Sequence, residues 1–304
     1  MNAKGLLIDL GKLLLCGLAY FVGLMLGGMV TTALRLPPPP MPAGVSQSAA
    51  AIGLLGASPM LALGLALLAP HIAGRWPART LMLAGLLFVA YSLNTLLDAS
   101  LYVTGYADTS AFMLISSLVP SLLCGAAAAW LFAPASPHRG LRGAWREFFG
   151  QRTAGQWLWR LALAAVAFAP VYILFGLMVN PFTEAYYAQN LYGLHLATWG
   201  EILPMQLARS GLFLAVCLPI IAAWQGTARS LFLRLGGAQF ALVGLTMALV
   251  GTWLPWLVRL PHTVEILADS FVYAGLLVWL LARPAASPEP RRPAQTLQQA
   301  ESRP

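Results

Sequence analysis

The side chains with the clearest capacity for chemistry stand at the start of an apolar stretch near the C-terminus of the chain. His262, Glu265 and Asp269 follow the spacing i, i+3 and i+7, which places them on one face of a helix. An imidazole and two carboxylates on one face can act as acid and base, pair with a basic residue or ligate a metal ion. They are therefore the first candidates for a functional site.

Two other apolar stretches carry polar side chains at helical spacing. Tyr91, Asn94 and Asp98 repeat the spacing i, i+3 and i+7, and Gln206 and Arg209 follow the proline of EILPMQLARSG. Proline suits the first turn of a helix, so we predict that this helix begins near its proline and that Arg209 lies about 8 Å beyond it. With the three residues above, these five side chains form a candidate binding or ion-pair cluster.

The elements that must position these side chains are membrane-spanning helices. Hydrophobic residues make up 59% of the 304 residues and charged residues only 9%, whereas about a quarter of a soluble domain is charged. The apolar residues fall in blocks of about twenty, the length that a helix needs to cross roughly 30 Å of hydrocarbon. We predict an all-α, polytopic integral membrane helical bundle with eight spans, at residues 10–34, 49–70, 81–102, 110–134, 157–179, 203–225, 231–254 and 264–281.

The basic residues are distributed unevenly between the two ends of these spans. Fifteen of the 18 Lys and Arg fall at the N-terminus, in the connections 71–80, 135–160 and 226–234, or in the tail. With eight spans these segments share one side, which the positive-inside rule makes the cytoplasm. We predict a multi-pass protein of the inner membrane with both termini cytoplasmic. The basic run HRGLRGAWREFFGQR is interpreted as a topology signal on anionic lipid headgroups and not as a nucleic-acid site.

Acidic residues are concentrated on the opposite side. An unpaired ion at the depth of Arg209 costs a few kcal/mol or more, so Arg209 must snorkel, line a wet cavity or meet an acid. Asp98 and Asp269 are the acids at comparable depth, and Glu265 is next. The acids and bases of this side are Asp98, Asp108, Glu184, Glu201, Glu265 and Asp269 against Arg35, Arg209 and Arg259.

A short sequence similarity links the two halves of the chain. PARTLML recurs as TARSLFL 150 residues later, and WLFAP resembles WLLARP at an offset of 149. This offset favours two parallel four-helix repeats, residues 9–134 and 157–283, within one transmembrane domain of residues 1–283. The alternative stays open, because arginine before an apolar run is typical of any cytoplasmic helix start. The polar, proline-rich tail, residues 284–304, is predicted to be disordered.

Three functions and one structural role fit the polar cluster. The first function is a carrier or binding protein for a small or amphipathic substrate, with an outward-facing cavity between spans 3, 6 and 8. The second is an intramembrane enzyme acting on lipid or isoprenoid substrates, in which only His195 could join His262, Glu265 and Asp269 as a further ligand. The third is a non-catalytic membrane subunit of a larger complex. In the structural alternative, the cluster only holds helices together.

Motifs of known intramembrane chemistry do not occur in the sequence. There is no HExxH, EExxxR, GxSG or GxGD pattern, each of which marks a particular catalytic arrangement. We therefore favour the carrier over the enzyme, assign no catalytic residue, and predict neither a cofactor nor a bound metal. The expected partners are the lipid bilayer and an unidentified small-molecule or lipid substrate.

Overall fold

The computed structural model describes residues 3–39, 47–134 and 140–282, so the tail 284–304 lies outside the described residues. Within them the chain forms helices and two isolated β-bridges, and no strand. Eight helical segments are long and apolar enough to cross a membrane, which confirms the predicted helical bundle. In chain order the helices are α1 (Ala3–Ala33) as span 1, α2 (Gln47–Leu68) as span 2, α3 (Trp76–Leu87) and α4 (Asn94–Tyr102) as span 3, α5 (Ser110–Leu131) as span 4, the short α6 (Leu141–Phe149), α7 (Ala154–Val166) and α8 (Phe168–Ala188) as span 5, α9 (Trp199–Ala222) as span 6, α10 (Ala228–Phe240) and α11 (Thr246–Val250) as span 7, and α12 (Trp256–Leu281) as span 8.

Several helices extend beyond the apolar blocks that predicted them. α12 begins at Trp256, so His262 lies within the helix and not in the connection before it. α8 continues to Ala188, although the predicted span ended at residue 179. An apolar block marks only the part of a helix that hydrocarbon surrounds, whereas the helix continues until its last backbone groups are satisfied.

The start of α9 is also earlier than predicted. Thr198 and Glu201 form a capping box, in which the backbone N–H of Thr198 donates to Glu201 Oε2 at 2.8 Å. The helix therefore begins at Trp199, and Pro204 lies in its second turn instead of its first. Arg209 follows Trp199 by ten residues, about 15 Å at 1.5 Å per residue, so it lies farther from the helix start than the sequence indicated.

The ends of the spans define two sides of the bundle. The basic side contains the start of α1, the end of α12 and the connections 69–75, 132–134, 140–153 and 223–227. The acidic side contains the connections 34–39, 103–109, 189–198 and 251–255. Which of the two sides faces the cytoplasm stays a prediction.

Arginines on the basic side cap the C-terminal ends of neighbouring helices. The buried Arg79 donates from Nη2 to the carbonyl of Ala69 at 3.1 Å and to that of Phe132 at 3.0 Å. Arg234 donates to the carbonyl of Leu67 at 3.0 Å. The last carbonyls of a helix have no partner within it and carry partial negative charge. These arginines therefore stabilise the ends of spans 2 and 4.

The same role falls to arginines near the start of span 5. Arg152 donates to the carbonyls of Leu281 at 3.2 Å and Ala282 at 2.9 Å, and Arg160 donates to the carbonyl of Leu280. The interpretation of the basic run as a topology signal on lipid headgroups stays a prediction, but the guanidinium of Arg152 also caps span 8. The sequence could not show this, since the capped helix lies about 130 residues away.

The two halves of the bundle meet mainly along two pairs of spans. Span 1 packs on spans 2 and 4, span 3 on span 4, span 5 on spans 6 and 8, and span 7 on span 8, while spans 2 and 7 and spans 3 and 6 join the halves. On the basic side, the segments before spans 3 and 7 form an antiparallel bridge at Ile72 and Trp224. Ala73 N–H donates to the carbonyl of Ala223 at 2.8 Å beside it. The duplication of the chain itself stays a prediction.

Span 5 is interrupted at Ala167. Proline lacks a backbone N–H and its ring clashes with the carbonyl four residues before it, so Pro170 disfavours a continuous helix through residue 166. α7 ends at Val166 and α8 begins at Phe168. The N–H of Phe168 instead donates to Ser210 Oγ of span 6 at 3.0 Å. Two other prolines, Pro120 and Pro219, lie within helices that continue past them.

Candidate functional site

An ion pair joins spans 3 and 6 in the half of the bundle near the acidic side. Arg209 is 2% exposed, and its Nη2 donates to Asp98 Oδ1. The guanidinium also lies over the ring of Tyr172 at 5.2 Å and that of Phe168 at 5.9 Å, where the ring faces attract a cation. An acid of span 3 and two rings of span 5 therefore compensate the buried charge of Arg209.

Span 5 contributes side chains to this cluster that the sequence did not single out. The Tyr172 hydroxyl lies 3.2 Å from that of Tyr102, in span 3. The rings of Tyr102 and Tyr187 meet edge to face with centroids 5.8 Å apart. The only sequence signal that Tyr172 belongs to the site is the occurrence of a tyrosine within an apolar span. The hydroxyl of such a tyrosine must find a partner when its ring is buried.

A second hydrogen-bonded group lies beside the first, on span 8. His262 Nδ1 lies 2.6 Å from Glu265 Oε2, and the Tyr187 hydroxyl lies 3.3 Å from His262 Nε2. Gly176 of span 5 faces Glu265 so closely that a Cβ there would lie 3.4 Å from Glu265 Oε1. Tyr187 lies outside the predicted span 157–179, but it belongs to the last turn of α8 and contacts the site.

Besides Arg209, whose Nε has no hydrogen-bond partner, four buried side chains of the cluster have polar atoms without a partner among the described residues. They are Oδ1 of Asn94, Oδ1 of Asp269, the hydroxyl of Tyr273 and both polar atoms of Gln206. Gln206 and Tyr273 are 0% exposed, and the other two are 5% exposed. Buried polar groups in native proteins nearly always have a partner, which can be a protein atom, water or a ligand. Six of the 13 such atoms among the described residues lie in this cluster, which makes it the first candidate for a place that holds water or a ligand.

The positions of Gln206, Asn94 and Asp269 follow from helical spacing around the ion pair. Gln206 precedes Arg209 by one turn toward the acidic side, and Asn94 precedes Asp98 by one turn toward the basic side. Asp269 is four residues from Glu265 and interacts electrostatically with Glu265, Arg209 and Asp98. Three carboxylates thus surround one arginine and one histidine. Helices from spans 3, 5, 6 and 8 all contribute, whereas the sequence indicated only spans 3, 6 and 8.

One predicted member of the cluster lies elsewhere. Tyr91 packs against Tyr20 of span 1, with ring centroids 6.3 Å apart. The cause is a π-helical segment, Phe88–Leu93, between α3 and α4. A π turn adds a residue and rotates the helix that follows, so Tyr91 does not share a face with Asn94 and Asp98. The spacing i, i+3 and i+7 predicted a shared face only for a regular α-helix.

The connection 189–198 covers part of the cluster on the acidic side. The His195 N–H donates to the Tyr102 carbonyl at 3.0 Å, and Thr104 N–H donates to the Gly193 carbonyl at 3.1 Å. His195 therefore reaches the end of span 3. Within the described residues, however, no three His, Cys, Asp or Glu side chains are placed to hold a metal ion. The geometry gives no support to the metal-ligand version of the enzyme hypothesis.

Comparison of the chain with protein families, with curated proteins and with solved structures finds no match. The chemistry of the cluster between spans 3, 5, 6 and 8 is therefore the basis on which a function can be proposed.

Proposed function

We propose that the chain is a membrane carrier or binding protein that holds a small or amphipathic substrate between spans 3, 5, 6 and 8. The observation that supports this proposal most is the group of unpartnered buried polar atoms around the Arg209–Asp98 pair. A core that served packing alone would avoid them, because each unsatisfied buried group costs about 1–3 kcal/mol. A substrate and its accompanying water would satisfy these atoms.

Arg209 is the anchor for an anionic group of the substrate. A guanidinium presents several N–H donors in one plane and binds carboxylates or phosphates in pairs of hydrogen bonds. When no substrate is bound, Arg209 pairs with Asp98. The Asp98 side chain is 38% exposed, so a competing anion can displace it toward solvent without burying its charge.

Span 8 supplies negatively charged acceptors, opposite in charge to Arg209. Asp269 and Glu265 accept hydrogen bonds from donor or cationic groups of the substrate, and a proton or cation on Asp269 would balance the excess of acids. Gln206 can donate and accept, and so can the Tyr273 hydroxyl. The site therefore fits a substrate with an anionic group and at least one donor.

Binding can be tested without knowing the substrate. We expect that one class among small carboxylates, phosphates and amino acids raises the unfolding temperature of the purified protein in detergent, since a ligand at 100 times its Kd stabilises by about 2.7 kcal/mol. The stabilisation should be lost in Arg209→Gln and kept in Arg35→Gln, which changes an exposed arginine of the acidic side. The proposal would be contradicted if a ligand class stabilised Arg209→Gln as much as the wild type. It would also be contradicted if no class stabilised any of the three proteins.

The access side depends on the orientation of the bundle. Reporter fusions after Arg142 and after the tail should behave as cytoplasmic, and a fusion near Gln189 as external, because the basic side carries most of the positive charge. A cytoplasmic signal at Gln189 would place the polar site on the other face of the membrane.

A further inference from the structure

An apolar groove lies between spans 3 and 6, on the basic side of the ion pair that joins the same two spans. Its volume is about 330 Å³. The groove follows α3 from Ala78 to Gly85, which is about 10 Å along a helix axis. α6 closes its basic-side end. Its principal lining residues are Leu81, Gly85, Leu141, Trp145, Val216 and Pro219.

The groove opens to the surface that faces lipid. Leu81 is 66% exposed and Trp145 is 36% exposed, although both line it. Water in such a groove would hydrate apolar surface at an unfavourable free energy. The chemistry of the walls therefore selects a hydrocarbon chain.

The mouth of the groove carries positive charge. α6 buries Ala144 and Phe148 and leaves Arg142 and Arg146 exposed. A Cβ on Gly74 would lie 3.3 Å from Leu141 Cβ, so the exposed Arg75 stands next to the start of α6. Three exposed arginines thus lie on the segments that border the basic-side end of the groove, against one acid in α6, Glu147.

We infer that this groove binds an acyl chain of an anionic phospholipid from the leaflet on the basic side. The chain fills the space between Leu81, Gly85 and Val216, and the phosphate lies against Arg142, Arg146 and Arg75. A zwitterionic lipid fits the apolar walls equally well, but it gains less from the arginines, each of which contributes to attraction for an anionic headgroup. The lipid acts as a wedge that separates spans 3 and 6 on the side opposite their ion pair.

Native mass spectrometry of the full chain tests this inference. After incubation with equal amounts of phosphatidylglycerol and phosphatidylcholine, the wild type should retain one phosphatidylglycerol in preference. Arg142→Gln/Arg146→Gln should weaken retention about thirtyfold, or about fivefold for each arginine. Arg229→Gln, which changes another exposed arginine of the basic side, should retain the lipid as the wild type does. Equal retention of both lipids by the wild type, or unchanged retention by the double variant, would overturn the inference.

Filling the groove tests the position of the acyl chain. A Cβ on Gly85 lies 4.0 Å from Val216, so Gly85→Leu fits locally but occupies the groove, and it should abolish preferential retention. Gly28→Leu adds the same side chain to span 1, where a Cβ meets nothing within 4 Å, and should change nothing. If Gly85→Leu does not fold, quenching by phosphatidylglycerol with brominated acyl chains replaces it. The fraction of tryptophan fluorescence that this lipid quenches should be smaller in Trp145→Phe than in the wild type. An unchanged fraction would overturn the inference.

Discussion

The two interfaces that join the halves of the bundle differ in chemistry. Between spans 2 and 7 the helices pack closely, since a Cβ on Gly64 would lie 2.8 Å from Leu242 Cγ. Between spans 3 and 6, Arg209 meets Asp98 at one end, and an apolar groove lies along the contact between the helices at the other. The first interface has what stable association of helices requires, namely small residues in close contact. The second has features that packing does not require, which is why we place the function there.

Two tyrosines, Tyr20, which is buried, and Tyr172, which is half-buried, show the same difference. Tyr20 of span 1 packs on the ring of Tyr91, in a core cluster that also contains Cys16 and Cys124. Tyr172 of span 5 lies beneath the guanidinium of Arg209. One tyrosine thus fills an apolar core and the other supports a charged site.

The largest expected effect is the loss of the acid that pairs with Arg209. Asp98→Ala leaves Arg209, which is 2% exposed, without its counter-ion. Because Asp98 itself is 38% exposed, the cost is that of a lost hydrogen bond to a charged group, about 1.5–3 kcal/mol. We expect the free energy of unfolding in detergent to fall by that amount. Asp98→Ala/Arg209→Ala should be more stable than Asp98→Ala alone, since the two residues are coupled.

This pairing would be contradicted by a different pattern of coupling. Asp269→Ala and Glu265→Ala serve as matched controls, because both remove an acid of the same cluster. If either control, and not Asp98→Ala, is rescued by Arg209→Ala, the partner of Arg209 lies in span 8.

The sequence predicted the features of the fold that follow from the length of apolar blocks and from the cost of a buried charge. Eight spans followed from apolar blocks of sufficient length, and an acid of span 3 or 8 was expected beside Arg209 because a lone ion at that depth is costly. Tyr172 and Gly176 could not be predicted as neighbours of the site, because an apolar span gives no sign of which face meets which helix. The position of Tyr91 could not be predicted. Its spacing from Asn94 and Asp98 fits a regular α-helix, and nothing in the sequence marks the π-helical segment Phe88–Leu93.

Substitutions of intermediate effect should show that spans 2 and 7 pack more tightly than spans 3 and 6. Gly64→Val places atoms against Leu242 and the carbonyl of Ala238, which is 3.1 Å from a Cβ at that position, and overpacking costs about 1–3 kcal/mol. Gly85→Val faces the groove and should change stability by less than about 0.5 kcal/mol. Thermal unfolding of the two variants measures the difference. Equal destabilisation would mean that spans 3 and 6 pack as tightly as spans 2 and 7.

Smaller effects should distinguish partnered from unpartnered polar groups. Ser210→Ala removes the acceptor of the Phe168 N–H and should lower stability by about 1–2 kcal/mol. Gln206→Leu replaces a fully buried amide that has no partner among the described residues, and it should be neutral or stabilise by about 1 kcal/mol. The same change should abolish stabilisation by the ligand class found in the binding screen. A Gln206→Leu protein that is destabilised as much as Ser210→Ala would contradict this assignment.

The central claim is that the cluster between spans 3, 5, 6 and 8 is a hydrated site open to the acidic side. Cysteine labelling tests it most directly, with single cysteines at Asn94, Gln206 or Asp269 in a protein without Cys16, Cys124 and Cys217. An impermeant thiol reagent added from the acidic side should modify all three, more slowly than a cysteine at the exposed Gln189, while a cysteine at Leu242 between spans 2 and 7 stays unmodified. If the three cysteines are as unreactive as the one at Leu242, the site is dry and the acids of span 8 serve only to hold helices together.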